Sequence, residues 1–207
     1  MRILLVSATE LEIPSFLHLK DIDVLITGIS IPSVMYHLTK KLFAGNYNYA
    51  IQAGIAGSFT SQLVPGEVVL VEKDSFGDIG IEEKGVFKSL FRMNLSDKDG
   101  FPFTNEYLIN TNDILSGSHL KKVTAVTVNK ISDSEIQKQR FVNDFKSDIE
   151  SMEGAAFHYV CLQQNINFLQ VRSISNEVGE RDKTKWEMKT AIDNLNQELK
   201  KIIDSIQ

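Results

Sequence analysis

The 207-residue chain holds one cysteine, four prolines and one tryptophan, and it carries more acid than base, with a formal net charge of −5. Each scarcity closes off a class of explanation. A lone thiol, Cys161, forms no internal disulfide, and its apolar helical context reads as that of a small buried hydrophobe in a reducing compartment. No apolar run approaches the length of a membrane-spanning helix, and Met1 to Ile13 lacks a basic segment followed by a long apolar stretch, so a cytoplasmic protein away from membranes is expected. The acidic balance disfavours a nucleic-acid partner, which relies on concentrated Lys and Arg; Lys121-Lys122 and Lys200-Lys201 read as solvated faces. His18, His37, His119 and His158 have no paired spacing with cysteine or carboxylates, so neither a zinc site nor any other metal or cofactor is expected. A nucleophile elbow and a recognisable Cys-His context are also missing. With no Pro/Ser-rich linker, composition shift or internal repeat, residues 1–207 read as a single domain, and 43% hydrophobic content allows it a sizeable core.

What the chain does contain is a βαβ rhythm. Ile3 to Val6, Val24 to Ile26 and Tyr49 to Ile51 are continuous apolar runs of strand length, a pattern that predicts strands buried on both faces. Pro32 can open a helix running to about Phe43, with Val34, Leu38, Lys41 and Leu42 at helical spacing. Further strands are expected at Glu67 to Val71, Val123 to Val128 and Phe168 to Ser173. Helices are expected at Ser134 to Phe145 with Ser134 as cap, at Gly154 to Gln163, and from Trp186 onward. In the last, Ile192, Leu195, Leu199, Ile202, Ile203 and Ile206 share a face. The glycine-rich stretch from about Ser75 to Ser118 reads as loops and short extended pieces.

Four segments carry chemistry: Ser7-Ala8-Thr9-Glu10-Leu11-Glu12 after the first strand, Gly54-Ile55-Ala56-Gly57-Ser58 after the third, Glu150-Ser151-Met152-Glu153-Gly154-Ala155-Ala156, and Val171-Arg172-Ser173-Ile174-Ser175-Asn176 with Trp186 following. A carboxylate at the head of a helix suits a sugar diol. A Ser-Asn pair at the carboxyl end of a buried strand suits a purine edge, because open α/β sheets bind ligands at that rim. In order and placement the four segments resemble the purine nucleoside phosphorylase and nucleosidase superfamily, on the hydrolytic branch of futalosine hydrolase and methylthioadenosine/S-adenosylhomocysteine nucleosidase. The resemblance spans nearly the whole chain. It implies a three-layer α/β/α fold with a mixed central sheet and a nucleoside substrate attacked by water.

The resemblance also implies roles. Cleaving a ribosyl C–N bond passes through an oxocarbenium-like state, so a site must activate water on one face of the sugar and stabilise the departing base on the other. Glu12 matches the water-activating base; its bland alternative is an acid in the first turn of a surface helix. Glu153 matches the ribose-diol ligand, since an ionised carboxylate accepts two hydroxyl protons, and Met152 would lie along the sugar. Asn176 stands where the adenosine-type enzymes carry Asp. Its amide NH₂ can donate to N7 and to a 6-oxo group, which favours hypoxanthine over adenine and an inosine-like substrate such as futalosine, of the menaquinone pathway. The alternative for Asn176 is a turn residue before Gly179, and for Ser175 a cap. Trp186 would pack on the nucleoside, with a core position as its alternative. Val128 to Ser132 would lie beside the base.

Gly54 to Ser58, including Ile55, Ala56 and Gly57, lacks the Lys of a phosphate loop and the spacing of a dinucleotide fingerprint, and is read as a tight turn against sugar and water. Related enzymes can have Ser at the position of Ile55. The Ser7 to Glu12 loop offers no arginine for phosphate and brings carboxylates instead, which points to water as the attacking group. Arg172 is expected to orient its strand end through carboxylate contacts, while Arg181 and Lys183 read as solvated loop charges. An adenine-releasing nucleosidase is the nearest rival, and a non-catalytic nucleoside-binding protein the rival from another class. Members of the superfamily commonly form homodimers whose partner closes the 5′ pocket, so a homodimer is implied by resemblance.

Overall fold

The computed structural model describes residues 1–19, 21–131 and 133–206. Among these residues the strands are β1 (Ile3–Ser7), β2 (Asp23–Ile26), β3 (Tyr49–Ser58), β4 (Val68–Asp74), β5 (Gly80–Glu83), β6 (Val86–Ser89), β7 (Leu108–Ile109), β8 (Lys121–Thr127), β9 (Ile149–Ser151) and β10 (Asn167–Glu177). The helices are α1 (Ile31–Ala44), α2 (Asp113–Gly117), α3 (Glu135–Asp144), α4 (Gly154–Gln163) and α5 (Met188–Ile206). The β5–β6 hairpin stands apart; the other strands form one mixed sheet in the order β10-β4-β8-β9-β3-β1-β2, with β7 on β4.

Alternation along the central strands divides the core into layers, because successive strand side chains point to opposite faces. Ile3 and Leu5 of β1 pack with Ile51 and Ala53 of β3 against Leu195, Leu199 and Ile203 of α5. Leu4 and Val6 join Ala50 on the other face, against Val34, Leu38 and Leu42 of α1 and Ala156, Phe157, Val160 and Cys161 of α4. The expected three-layer α/β/α arrangement follows. The expectation that all three early strands are buried on both faces fails for β2, whose residues are half-buried, because it ends the sheet and, among the described residues, pairs only with β1.

The sheet also curls. β10 pairs in parallel with β3 and antiparallel with β4, so β3, β10, β4, β8 and β9 close into a ring. All five strands contribute to one cluster of small and branched side chains: Ala56, Val69, Val71, Val123, Ala125, Ile149 and Ile174.

Boundaries shift in informative places. The segment read as a tight turn, Gly54 to Ser58, is the second half of β3, paired along its length with β10. Neither Gly54 nor Gly57 has positive φ; what glycine supplies there is space. A Cβ on Gly54 would collide with Arg172 Nη1 and lie 2.9 Å from Glu12 Oε1. α5 starts at Met188, so Trp186 precedes it, closing a short 3₁₀ turn at Lys183–Lys185. Ser134 caps α3 by accepting from the Gln137 amide at 3.4 Å.

Candidate active site

The carboxyl ends of the parallel strands β1, β3 and β10 open onto a cavity of about 490 Å³, ample for a nucleoside. All nine residues singled out from the sequence, Glu12, Ile55, Ala56, Gly57, Met152, Glu153, Ser175, Asn176 and Trp186, line it.

Glu12 sits in a 3₁₀ turn directly after β1, buried at 8% exposure. Its carboxylate is held from four sides. Oε2 accepts from Ser7 Oγ at 2.9 Å, from the Thr9 amide at 3.0 Å and from Thr9 Oγ1 at 3.2 Å, and Oε1 accepts from the Ile55 amide at 3.2 Å. A backbone N–H thus does at Ile55 what a side chain there could not, and the carboxylate keeps one orientation. Glu153 is the N-cap of α4 and makes no capping bond of its own. Its Oε1 accepts instead from the Ser30 amide at 3.1 Å, and Ser30 holds φ at +99°, a strained value that fixes this donor at the head of α1. Burial raises the Glu153 carboxyl above its ordinary range, against the opposing charge of Arg172.

The two carboxylates are near enough for the charge of Glu12 to act on Glu153, and the amide is brought to the same cavity by β10. A register shift between Ile174 and Asn176 leaves Ser175 as the extra residue of a bulge, which re-aims the strand end. Ser175 Oγ donates to Asn176 Oδ1 at 2.7 Å, and Asn176 Nδ2 donates to the Glu177 carbonyl at 2.8 Å. The carbonyl accepts only, so it fixes which end of the amide is nitrogen and leaves the second N–H of Nδ2 for a ligand. The Glu187 amide donates to the Ser175 carbonyl at 2.9 Å and Trp186 Nε1 to the Glu180 carbonyl at 3.0 Å, folding the indole against the same end of the cavity.

Three polar groups nearby were missed or misread in the sequence. Arg172 is 1% exposed, and its Nη2 donates to Gln52 Oε1 at 2.9 Å. The carboxylate contacts expected of it are not made: no ion pair within 4.0 Å involves Arg172 among the described residues, because Gly54 lets its guanidinium run under β3 toward Glu12 without reaching it. Glu150, in β9, is a buried acid on the cavity wall. Asp74 is fully buried beneath α4, accepting from Thr127 Oγ1 at 2.9 Å and Gln170 Nε2 at 3.2 Å; burial lifts its carboxyl to about 7. The signal available for Arg172 was a charge inside an apolar strand run, since charges are rarely buried without a purpose; Glu150, between Asp148-Ile149 and Ser151, carried no such signal. Ile131 also lines the cavity; Ser132, expected beside it, lies outside the described residues. His158 is a core residue of α4, its Nδ1 3.1 Å from the Leu108 carbonyl and its basicity pushed down to about 3 by burial, so it stays neutral.

The family model described as the phosphorylase superfamily matches residues 17–207. The chain belongs to the phosphorylase superfamily. Within this superfamily the proteins it is similar to include hydrolases. It is 27% identical over 157 residues to a futalosine hydrolase of Thermus thermophilus, covering 74% of this chain and 68% of that protein. It is 25% identical over 185 residues to a 5′-methylthioadenosine/S-adenosylhomocysteine nucleosidase of Buchnera aphidicola, covering 86% of this chain and 72% of the other. The fold matches the crystal structure of the Helicobacter pylori 5′-methylthioadenosine/S-adenosylhomocysteine nucleosidase with a TM-score of 0.82 at 18% identity, over 99% of this chain and 98% of that one. This superfamily member is therefore a nucleoside N-glycosidase of the hydrolytic branch.

Proposed function

We propose that this nucleosidase hydrolyses the N-glycosidic bond of a 6-oxopurine nucleoside, futalosine, and releases hypoxanthine, which would place it in menaquinone biosynthesis in the cytoplasm. The observation that carries the reading is the Asn176 amide in the same cavity as Glu12 and Glu153. With Oδ1 engaged by Ser175 and Nδ2 oriented by the Glu177 carbonyl, the amide presents an N–H to the ligand, which suits a purine edge whose O6 and N7 both accept.

In this reading Glu12, held by Ser7, Thr9 and Ile55, orients water and takes its proton as the C–N bond breaks. Glu153 accepts from the ribose hydroxyls, Met152 packs along the sugar, and Ile55, Ala56 and Gly57 of β3 form the floor. The departing base takes hydrogen bonds from Asn176, supported by Ser175, and Trp186 covers it. No proton need come from an acid, because a 6-oxopurine leaves with its charge spread onto oxygen. Residues 1–207 act as one domain, and a second copy is proposed to close the mouth, where Leu11 and Ile29 are 77% and 56% exposed.

The test is a panel of futalosine, inosine, 5′-methylthioadenosine and adenosine, each with and without phosphate. Hypoxanthine release from futalosine without phosphate is expected; turnover of 5′-methylthioadenosine with none of futalosine would instead give the adenine-releasing reading. Glu12→Gln should lower turnover by about 10²- to 10⁴-fold while ligand affinity measured by calorimetry persists. A pure binding protein would show no turnover to lose.

A further inference from the structure

Glu150 has no part in the chemistry above, yet it occupies the cavity wall at 7% exposure. Among the described residues its carboxylate makes no hydrogen bond and no ion pair. Arg181, whose charge acts on it most favourably, is exposed and forms no ion pair either. A buried, unpaired carboxylate is costly, and burial pushes Glu150 up to about 7. Such a group calls for a donor that the protein itself does not supply.

Sheet register places it. Asn176 pairs with Gly57 across β10 and β3, and Gly57 pairs with Glu150 across β3 and β9, so the three form one row over adjacent strands. Residues in register project to the same face, and two strand spacings put the outer pair roughly 10 Å apart at their backbones. Gly57 leaves the middle of the row without a side chain. A Cβ there would meet Val178 Cγ2 at 2.9 Å and Asn176 Nδ2 at 3.6 Å, narrowing the slot. The row also lies two residues, about 7 Å, along β3 from Ile55, whose amide holds Glu12. That offset separates the base end of the cavity from the sugar end.

We propose that Glu150 is a specificity-determining residue that accepts the N1–H of a 6-oxopurine, held flat over Gly57, while Asn176 donates to the adjoining O6/N7 edge. The proposal rests on the nucleosidase reading and deepens it. The Asn176 N–H favours a 6-oxopurine, and N1 separates the purines further once Glu150 is ionised: a 6-oxopurine carries a proton there, whereas adenine carries a lone pair that would face the carboxylate oxygen. Acceptor against acceptor in a buried slot leaves both groups unsatisfied, the condition under which binding sites discriminate most.

The test measures affinities of hypoxanthine, adenine and 1-methylhypoxanthine for the full chain and for Glu150→Gln at a pH well above 7, where the Glu150 carboxyl is ionised. Wild type should bind hypoxanthine about 10- to 100-fold more tightly than either other base. Glutamine keeps the volume but can donate or accept, so the gap between hypoxanthine and adenine should shrink at least about tenfold. A folded variant with the wild-type preference overturns the inference. So does a wild type that binds 1-methylhypoxanthine as well as hypoxanthine, a result that does not depend on the variant folding. Wild type that releases no base from any purine nucleoside overturns the nucleosidase reading and this inference together; base release with a preference indifferent to Glu150 overturns this inference alone.

Discussion

A single absent methyl group brings the proposed chemistry together at Gly54. Its missing Cβ is the space where Arg172 and Glu12 approach β3 from opposite strands. Gly54→Ala should displace the guanidinium or the carboxylate while leaving the apolar layers untouched. We expect kcat to fall about 10²-fold, the scale of a roughly 1 Å misplacement of reacting groups, with a melting temperature lowered far less. An alanine variant with wild-type kcat would show that the approach does not matter. Asn176→Asp tests the other end. A protonated Asp donates to N7 while its second oxygen accepts from a 6-amino group, so adenine nucleosides should gain relative to 6-oxopurine nucleosides, by about tenfold in the kcat/KM ratio. An unchanged ratio would assign discrimination elsewhere. At this scale the sequence was legible where chemistry and motif coincide, as in Glu12, Glu153 and Asn176. It was silent where a residue's meaning lies in what crosses it, as with Gly54, which reads as a turn until Arg172 is seen beneath it.

Among elements, α4 shows how a short helix is aimed. Its first free amides are anchored from below: Ala155 N–H donates to Thr127 Oγ1 at 2.7 Å, and Gly154 N–H to Ser151 Oγ at 3.3 Å. Thr127 passes the constraint on to buried Asp74, so Glu153 projects from a helix end fixed by side chains on β8, β9 and β4. Thr127→Val keeps the shape and removes both bonds, together with the 3.4 Å contact between Thr127 Oγ1 and Ser151 Oγ. It should cost about 1–3 kcal/mol in denaturant unfolding, and the loosened Glu153 should raise KM for the nucleoside more than it lowers kcat. A stability loss with KM unchanged would make the linkage purely structural. α4 itself was readable to the residue, and α1 and α3 nearly so, because caps and apolar spacing are local. β10 was read at about half its length and β3 only at its first three residues, Tyr49 to Ile51. Their outer halves carry Gly, Ser and Asn, which look like loop residues alone, but each strand there completes the other's hydrogen bonds.

For the whole molecule, closure of five strands into a ring was beyond reach of periodicity, since β10 looks the same whether it has one neighbour or two. The closed ring and α4 bury Asp74 completely, and that has a consequence for stability. An aspartate ordinarily ionises near 3.8, as it does in the unfolded chain, whereas in the fold desolvation holds the proton to about 7 despite donors from Thr127, Gln170 and Ser75. Between those values the folded state binds more protons than the unfolded one, so Asp74's contribution to stability falls as pH rises from about 4 to about 7, then stays level. Asp74→Asn removes that dependence. Gln170 Oε1, buried without a partner, can accept from the new amide once the Gln170 amide turns over. The difference in unfolding free energy between variant and wild type, in which other carboxylates largely cancel, should therefore move in the variant's favour by on the order of 2 kcal/mol from pH 5 to pH 8. Urea titrations of both proteins across that range measure it; a difference independent of pH would mean that Asp74 is ionised in the fold throughout, held by its three donors more strongly than burial opposes it.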